Sequence, residues 1–284
     1  MCRLLAYTGE PIPLHDLLYR PEHSLIVQSY AASERGECLN GDGFGIGWYV
    51  PEISVEPAVF RSTQPAWSSA NLKSLSRLTR SGRVFAHVRA ASEGLEVSEA
   101  NCHPFSFGPF LWMHNGTVEG YARFKEWARH YLSERSFSLI RGTTDSELLF
   151  GLFLDLWDQS DRPLDPEGLL DVFRRTLEFT TNILNRFETK EPSTLNLALT
   201  DGMTTVVSRF ATSSSKAPPS LYVARNVHVV FEATRSRLEA ALGPGAGSAV
   251  VASEPLFPDP GWEEVAPGRI VLVRTSGEVE QVAI

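Results

Sequence analysis

The sequence predicts an α+β fold built on antiparallel sheets, and three observations predict it. Apolar runs of strand length recur up to His114, helical periodicity occupies 120–187, and short β-branched runs return from Ser193 to the end. Strands, then helices, then strands is the order of an α+β protein, because a parallel sheet needs strand and helix to alternate.

In chain order, Cys2 to Thr8 reads as a short strand, followed by a proline-bounded turn and a helix within His23 to Ala32. Gly41 to Val50 sets glycine against Phe44, Ile46, Trp48 and Tyr49, the pattern of a strand with one bare face. Arg83 to Ala91 and Pro109 to His114 are further apolar strand-length runs. Gly120 to Leu132 and Thr144 to Asp158 are helical, the second with Leu148, Leu149, Leu152, Phe153 and Leu156 on one stripe. Asp165-Pro166, an N-cap followed by proline in the first turn, starts a helix that reaches Phe187. Then come Leu195–Thr200, Thr204–Phe210, Leu221–Ala224, His228–Glu232, Ser248–Ala252, Ile270–Arg274 and Glu278–Ile284, short strands with turns between them. Ala211 to Pro219 is a surface turn and not a linker, so a single domain over 1–284 is expected.

Composition narrows the function. With 26 basic and 34 acidic side chains the net charge is −8, and 43% of residues are hydrophobic. That balance excludes disordered and collagen-like classes, and the absence of a basic stripe argues against a nucleic-acid partner. The start of the chain has no secretory signal, and the most apolar stretch, Leu148 to Trp157, is about half a membrane span. A cytoplasmic protein with no membrane partner is therefore expected. Three sparse cysteines, at 2, 38 and 102, fit a reducing compartment better than a disulfide framework.

Several motifs carry chemistry. The glycines at 41, 43, 45 and 47 recur every second residue, which does not fit a dinucleotide-binding fingerprint. His87, Cys102, His103 and His114 lack metal-ligand spacing, so no metal is expected. Cys2 follows the initiator methionine; once that is removed, one residue holds both a thiol and an α-amine, nucleophile and base together. Arg89 ends a strand and suits bidentate carboxylate binding, though a surface ion pair would use the same residue. Asn115-Gly116 offers a side-chain amide and a backbone N–H to one oxyanion, or else a hairpin turn. Thr143-Thr-Asp-Ser-Glu147 begins a helix whose Asp145 can hold an ammonium group, or whose Thr144 and Glu147 form a capping box.

In order, the N-terminal cysteine, His87-x-Arg89-x-x-Ser92, His114-Asn-Gly116 and Thr144-Asp-Ser-Glu147 resemble the class II, N-terminal-nucleophile glutamine amidotransferases. Val250-Val-Ala-Ser-Glu254 is similar to a late segment of that family. The resemblance implies a four-layer αββα sandwich of two antiparallel sheets. It implies Cys2 as nucleophile, Asn115 and the Gly116 N–H as oxyanion donors, Arg89 with Ser92 on the substrate α-carboxylate, and Asp145 on its α-ammonium. No cofactor is implied. One departure concerns substrate: many members read R-W-A-T-H-G where this chain has Arg89-Ala-Ala-Ser-Glu-Gly94.

Met1-Cys-Arg, Asn40-Gly-Asp-Gly-Phe-Gly45 and Asn101-Cys-His-Pro-Phe105 look more like two stand-alone branches. One is the amidotransferase-like subunit of a glutathione-degrading peptidase complex, the other the γ-glutamyl hydrolase of ergothioneine biosynthesis. The expected activity is hydrolysis of a small γ-glutamyl amide. The alternatives are a glutaminase subunit feeding ammonia to a separate synthetase, and a non-catalytic binding module. A partner subunit would be a peptidase or a synthetase. The leaving group is expected to be chosen by loops around Glu34–Asn40 and Glu93–Asn101 and by the helical stretch 120–188.

Overall fold

A computed structural model describes residues 2–34, 39–91, 96–187, 189–232, 235–240, 247–258 and 260–284, with backbone alone at 229–232, 235–238 and 240. Cys38 and Ser92 lie outside the described residues. β1 (Arg3–Pro13) leads into two short helices, α1 (Leu14–Leu18) and α2 (Leu25–Gln28). The hairpin of β2 (Phe44–Val50) and β3 (Ser54–Ser62) follows, then α3 (Ala70–Leu78) and β4 (Arg80–Val88). β5 (Phe105–Phe107) and β6 (Phe110–Thr117) precede four helices, α4 (Tyr121–Tyr131), α5 (Glu134–Leu139), α6 (Asp145–Asp158) and α7 (Pro166–Leu184). The chain closes with β7 (Thr194–Thr200), β8 (Thr205–Arg209), β9 (Tyr222–Arg225), β10 (Val227–Glu232) and β11 (Arg235–Ala240). After these come β12 (Ala249–Ala252), β13 (Trp262–Glu264), β14 (Arg269–Val273) and β15 (Val279–Ala283).

The strands form two large antiparallel sheets. One runs β13-β9-β12-β1-β4-β2-β3, the other β15-β14-β8-β7-β6-β5, with β10 and β11 as a separate pair. Three cores separate four layers. Leu5, Tyr7, Val84 and Ala86 pack against α1, α2 and α3 on the outside of the first sheet. Leu4, Ala6, Phe85, Met113, Ala198 and Val271 fill the space between the sheets. Trp112, Leu197, Leu199 and Ile270 meet α4, α6 and α7 on the far side. A sheet covered on both faces needs apolar side chains in both directions, which is why Leu4, Leu5, Ala6 and Tyr7 are all buried in β1. The αββα sandwich expected from the resemblance is the observed architecture.

The two ends of the structure explain the sequence pattern. Residues Ser146 to Leu156 of α6 are all buried, since the helix lies between the second sheet and its neighbouring helices. Its Asp155 is satisfied by capping α5, accepting from Ser133 N at 2.8 Å and Ser133 Oγ at 2.6 Å. No described helix is long and apolar enough to cross a membrane. The bare face of β2 is needed where the sheets approach: a Cβ on Gly45 would lie 2.2 Å from the His103 carbonyl oxygen, and one on Gly47 2.7 Å from Leu111.

Behind that approach sit two buried histidines. His87, on the same face of β4 as Phe85, lies 4.2 Å from His103 between ring centroids, and neither ring has a hydrogen-bond partner among the described residues. Burial drives both rings neutral, pushing His87 down to about 3 and His103 well below its ordinary value. A histidine whose folded value is depressed contributes stability that is complete above the unfolded value and lost as pH falls through the folded one. Between about pH 6.5 and 5, His87 should therefore withdraw about 1.5 kcal/mol of unfolding free energy, with His103 acting in the same direction. Urea titrations should show that fall in stability, and His103→Leu should make it shallower.

Candidate active site

Cys2 stands immediately before β1, in the middle of the seven-stranded sheet. The register pairs Arg3 with Val88, so the next residues outward, Cys2 and Arg89, come opposite each other. The Cys2 thiol donates to the Ala90 carbonyl at 3.5 Å. Burial pushes this thiol up, while the Ala90 contact and the charges of the amino terminus, Arg89 and Arg3 pull it down. Burial wins, so the thiol is held in its protonated form.

The turn Asn40–Gly45 braces the strand end from the other side. Arg89 N donates to Gly43 O at 2.8 Å, Asp42 N to Arg89 O at 3.0 Å, and Ala91 N to Asp42 Oδ2 at 2.8 Å. Arg89 is buried at 3% exposure, yet its Nη1 has no hydrogen-bond partner among the described residues. Its Nη2 donates to Glu96 O at 3.3 Å. An ionised guanidinium held out of water in this way favours an anion.

Asn115 and Gly116 lie within β6 rather than at a hairpin turn. The Asn115 amide donates to Ser253 Oγ at 3.3 Å, and the same hydroxyl accepts from Leu4 N at 3.0 Å. Ser253 therefore ties the amide to the strand that carries Cys2. The second amide hydrogen of Asn115 is left for another acceptor. A Cβ on Gly116 would fall 1.9 Å from Thr194 O, so only glycine fits. Thr117 N points to Thr194 on β7 and Val118 N to Asp145 on the opposite side. By the alternation of an extended strand, the Gly116 N–H faces the same edge as Val118 N.

Asp145 is the first residue of α6. Its Oδ2 accepts from Val118 N at 2.8 Å and its Oδ1 from Ser146 Oγ at 3.1 Å, with the carboxylate partly exposed. His114 lies beneath, Nε2 3.0 Å from Thr194 O, an acceptor, and Nδ1 3.0 Å from Ser146 Oγ. Only one half of the expected capping box forms. Thr144 Oγ accepts from Glu147 N, but Glu147 reaches past it to Arg141 N at 2.9 Å and Gly142 N at 2.7 Å.

Of the six expected residues, the structure links Cys2, Arg89, Asn115, Gly116 and Asp145 through the bonds above; Ser92 is not described. Sequence reading gave no role to Ser253 or Asn101. Fully buried Asn101 donates to Glu96 O at 2.9 Å and Thr143 Oγ at 3.1 Å, and accepts from Thr143 N at 2.7 Å. It thus fixes the carbonyl on which Arg89 rests. Their signal was only their place in the Asn101–Phe105 and Val250–Glu254 segments. Among the described residues no cluster of His, Cys, Asp and Glu is arranged to hold a metal. Cys102 is buried and its thiol pushed up to about 11 by burial. A cavity of about 820 Å³ lined by Arg61, Phe105, Phe107, Arg141, Glu147 and Phe150 lies apart from Cys2.

Residues 16–284 match the family described as class II glutamine amidotransferases, a range that begins after Cys2. The chain is 36% identical over 293 residues to the probable glutamine amidotransferase DUG3 of Saccharomyces cerevisiae, covering 96% of this chain and 82% of that protein. A γ-glutamyl-hercynylcysteine sulfoxide hydrolase of Mycolicibacterium smegmatis is 38% identical over 120 residues, 42% of this chain and 52% of that one. The solved structure of a class II glutamine aminotransferase domain protein from Silicibacter pomeroyi has a TM-score of 0.66 at 27% identity, covering 99% of both chains. The phosphoribosylpyrophosphate amidotransferase of Bacillus subtilis has a TM-score of 0.58 at 16% identity over 99% of this chain and 49% of that one, a likeness of fold.

Asn101→Ala strips Thr143 N and Glu96 O of a buried partner. Chemical unfolding should show a loss of about 1–2 kcal/mol, since Glu96 O keeps its bond from Arg89 and Thr143 is only half-buried.

Proposed function

The chain belongs to the class II glutamine amidotransferases, and from that premise we propose that it hydrolyses the γ-glutamyl amide bond of glutamine or of a γ-glutamyl thiol compound or peptide through a thioester on Cys2. The observation that carries this reading is the placing of Cys2 directly opposite a buried Arg89 whose Nη1 lacks a partner among the described residues. A γ-glutamyl group presents a carboxylate and an ammonium at one end and the scissile carbonyl at the other. Arg89, with Ser92, takes the α-carboxylate and Asp145 the α-ammonium. The whole chain, 1–284, acts as one catalytic domain.

The chemistry follows from the environment of the thiol. After removal of Met1, the α-amine of Cys2, with an ordinary value of about 8, accepts the thiol proton. Burial holds the thiol protonated, so the amine is required as base. The thiolate attacks the γ-carbonyl carbon, and the oxyanion is received by the free amide hydrogen of Asn115 and the Gly116 N–H. Collapse breaks the C–N bond, and the α-ammonium returns its proton to the departing amine. Water, deprotonated by the same α-amine, attacks the thioester and releases glutamate. None of these steps uses a cofactor or a metal. A free thiol and a processed amino terminus are conditions of the cytoplasm, where we place the protein.

Glutamate release from glutamine, glutathione and related γ-glutamyl amides by the Met-processed chain tests the reading. Cys2→Ala should abolish turnover, and Asn115→Ala should lower kcat by about 10²–10³, as for loss of one oxyanion donor. Arg89→Lys keeps the charge but loses the fork, and should raise KM more than it lowers kcat. Turnover surviving in Cys2→Ala overturns the mechanism. Glutaminase activity that rises only when a synthetase is added would replace the hydrolase with an ammonia-supplying subunit.

A further inference from the structure

A buried ion cluster lies directly behind the nucleophile, and no step of the proposed reaction uses it. Arg3, the residue after Cys2, is 5% exposed. Its Nη1 turns back to donate to the Cys2 carbonyl at 3.0 Å, and its Nε donates to Glu254 Oε1 at 2.6 Å. Glu254 is fully buried. Its other oxygen accepts from His23 Nε2 at 2.7 Å and from Ser33 N at 2.8 Å. Burial pushes the Glu254 carboxyl up, but the bonds from His23, Ser33 N and Arg3 outweigh it and hold it at about 2. Next to it, Ser253 N donates to Leu4 O and Ser253 Oγ accepts from Leu4 N, both at 3.0 Å. Residues 253 and 254 therefore grip Arg3 and Leu4 through side chain and backbone together, and Arg3 in turn holds the Cys2 carbonyl.

A buried guanidinium–carboxylate pair is a poor device for stability, since apolar residues of similar volume do as well or better. Its place in the structure points to a different task. An N-terminal residue has no preceding peptide to hold it, so rotation about its bonds is restrained only by its side chain and its own carbonyl. At Cys2 the one side-chain hydrogen bond among the described residues is the 3.5 Å thiol contact, and the carbonyl is what Arg3 holds. Fixing that carbonyl fixes where the thiol and the amine point.

We propose that Arg3 and Glu254 are positioning residues for the nucleophile. Arg3 clamps the Cys2 carbonyl, Glu254 holds and neutralises Arg3, and His23 and Ser33 couple this clamp to the 23–33 segment at the surface. The inference rests on the reading of Cys2 as nucleophile. Among the described residues, the charged and titratable groups acting on Cys2 are Arg3 of β1, Arg89 beyond β4 and the Cys102 thiol, together with the amino terminus. Glu254 balances the positive charge contributed by Arg3.

Three variants of the Met-processed full chain separate charge from geometry. Glu254→Gln keeps the shape and removes the charge, Glu254→Asp keeps the charge and shortens the reach, and Arg3→Lys keeps the charge and loses the fork. Two measurements are made: the pH dependence of Cys2 alkylation by iodoacetamide, resolved from Cys102 by peptide mass, and kcat and KM on γ-glutamyl-p-nitroanilide. In all three, kcat should fall by about tenfold or more with KM within about twofold, the signature of a misplaced reacting group. In Glu254→Gln the alkylation midpoint should move down by about half a pH unit or more, because the Arg3 charge is no longer balanced. In the two charge-preserving variants it should stay in place.

A loss confined to KM, or kcat within twofold of the parent, overturns the clamp. So does an unmoved midpoint in Glu254→Gln. Should Glu254→Gln fail to fold, the two charge-preserving variants decide by kcat. If the parent turns over no γ-glutamyl compound, the hydrolase reading falls, while the alkylation midpoint of Glu254→Gln still decides the clamp.

Discussion

The placing of the amino end of the chain in the middle of a sheet is the constraint on which the rest depends. Chain ends ordinarily lie at the surface, where they fray. Here β1 is flanked by β4 on one side and β12 on the other, so the residue in front of it is held by strands from distant parts of the chain. The turn Asn40–Gly45 braces one flank and Ser253 with Glu254 the other. The second sheet then brings the end of β6 across, and α6 starts close enough for Asp145 to accept from Val118 N. Four elements meet because one strand begins where it does.

The electrostatics of the site follow from the same burial. A thiol inside a sandwich is held in its neutral form, and a guanidinium inside a sandwich demands an anion. The two tendencies complement each other in the proposed reaction: a protonated thiol would wait for an amine base, and a buried cation would receive a substrate carboxylate. His87 and His103 sit between the same sheets as neutral rings and contribute no competing charge.

Much of this was legible in the sequence where the signal is local. α6 and α7 were readable from their apolar stripes and from Thr144 and Asp165, which cap them as expected. β2 was readable because its glycines mark a close approach. The hairpin partner β3 was not, because an edge strand carrying Glu56 and Pro57 and largely exposed has no alternating apolar face. α3 was missed as well, since only Leu72 and Ser76 of its nine residues are buried. Among the expected site residues, Cys2, Arg89, Asn115, Gly116 and Asp145 stand in motifs whose chemistry is contained in a few adjacent residues. Asn101, Ser253, Glu254 and Arg3 act through partners far along the chain: Arg3 and Glu254 are 251 positions apart. No spacing rule reports such a pair, and only folding makes it visible.

That separation has a consequence for the order of events during synthesis. β1 can pair with β4 once the first ninety or so residues have emerged, a rough count from the paired register. Its other flank stays open until β12, near the end of the chain, leaves the ribosome. Over that interval Arg3, Leu4 and Leu5 are paired on the β4 side alone. The arrival of Ser253 and Glu254 then completes the hold on Arg3 and Leu4. Topology thus makes the second flank of β1 one of the last parts of the fold to be completed.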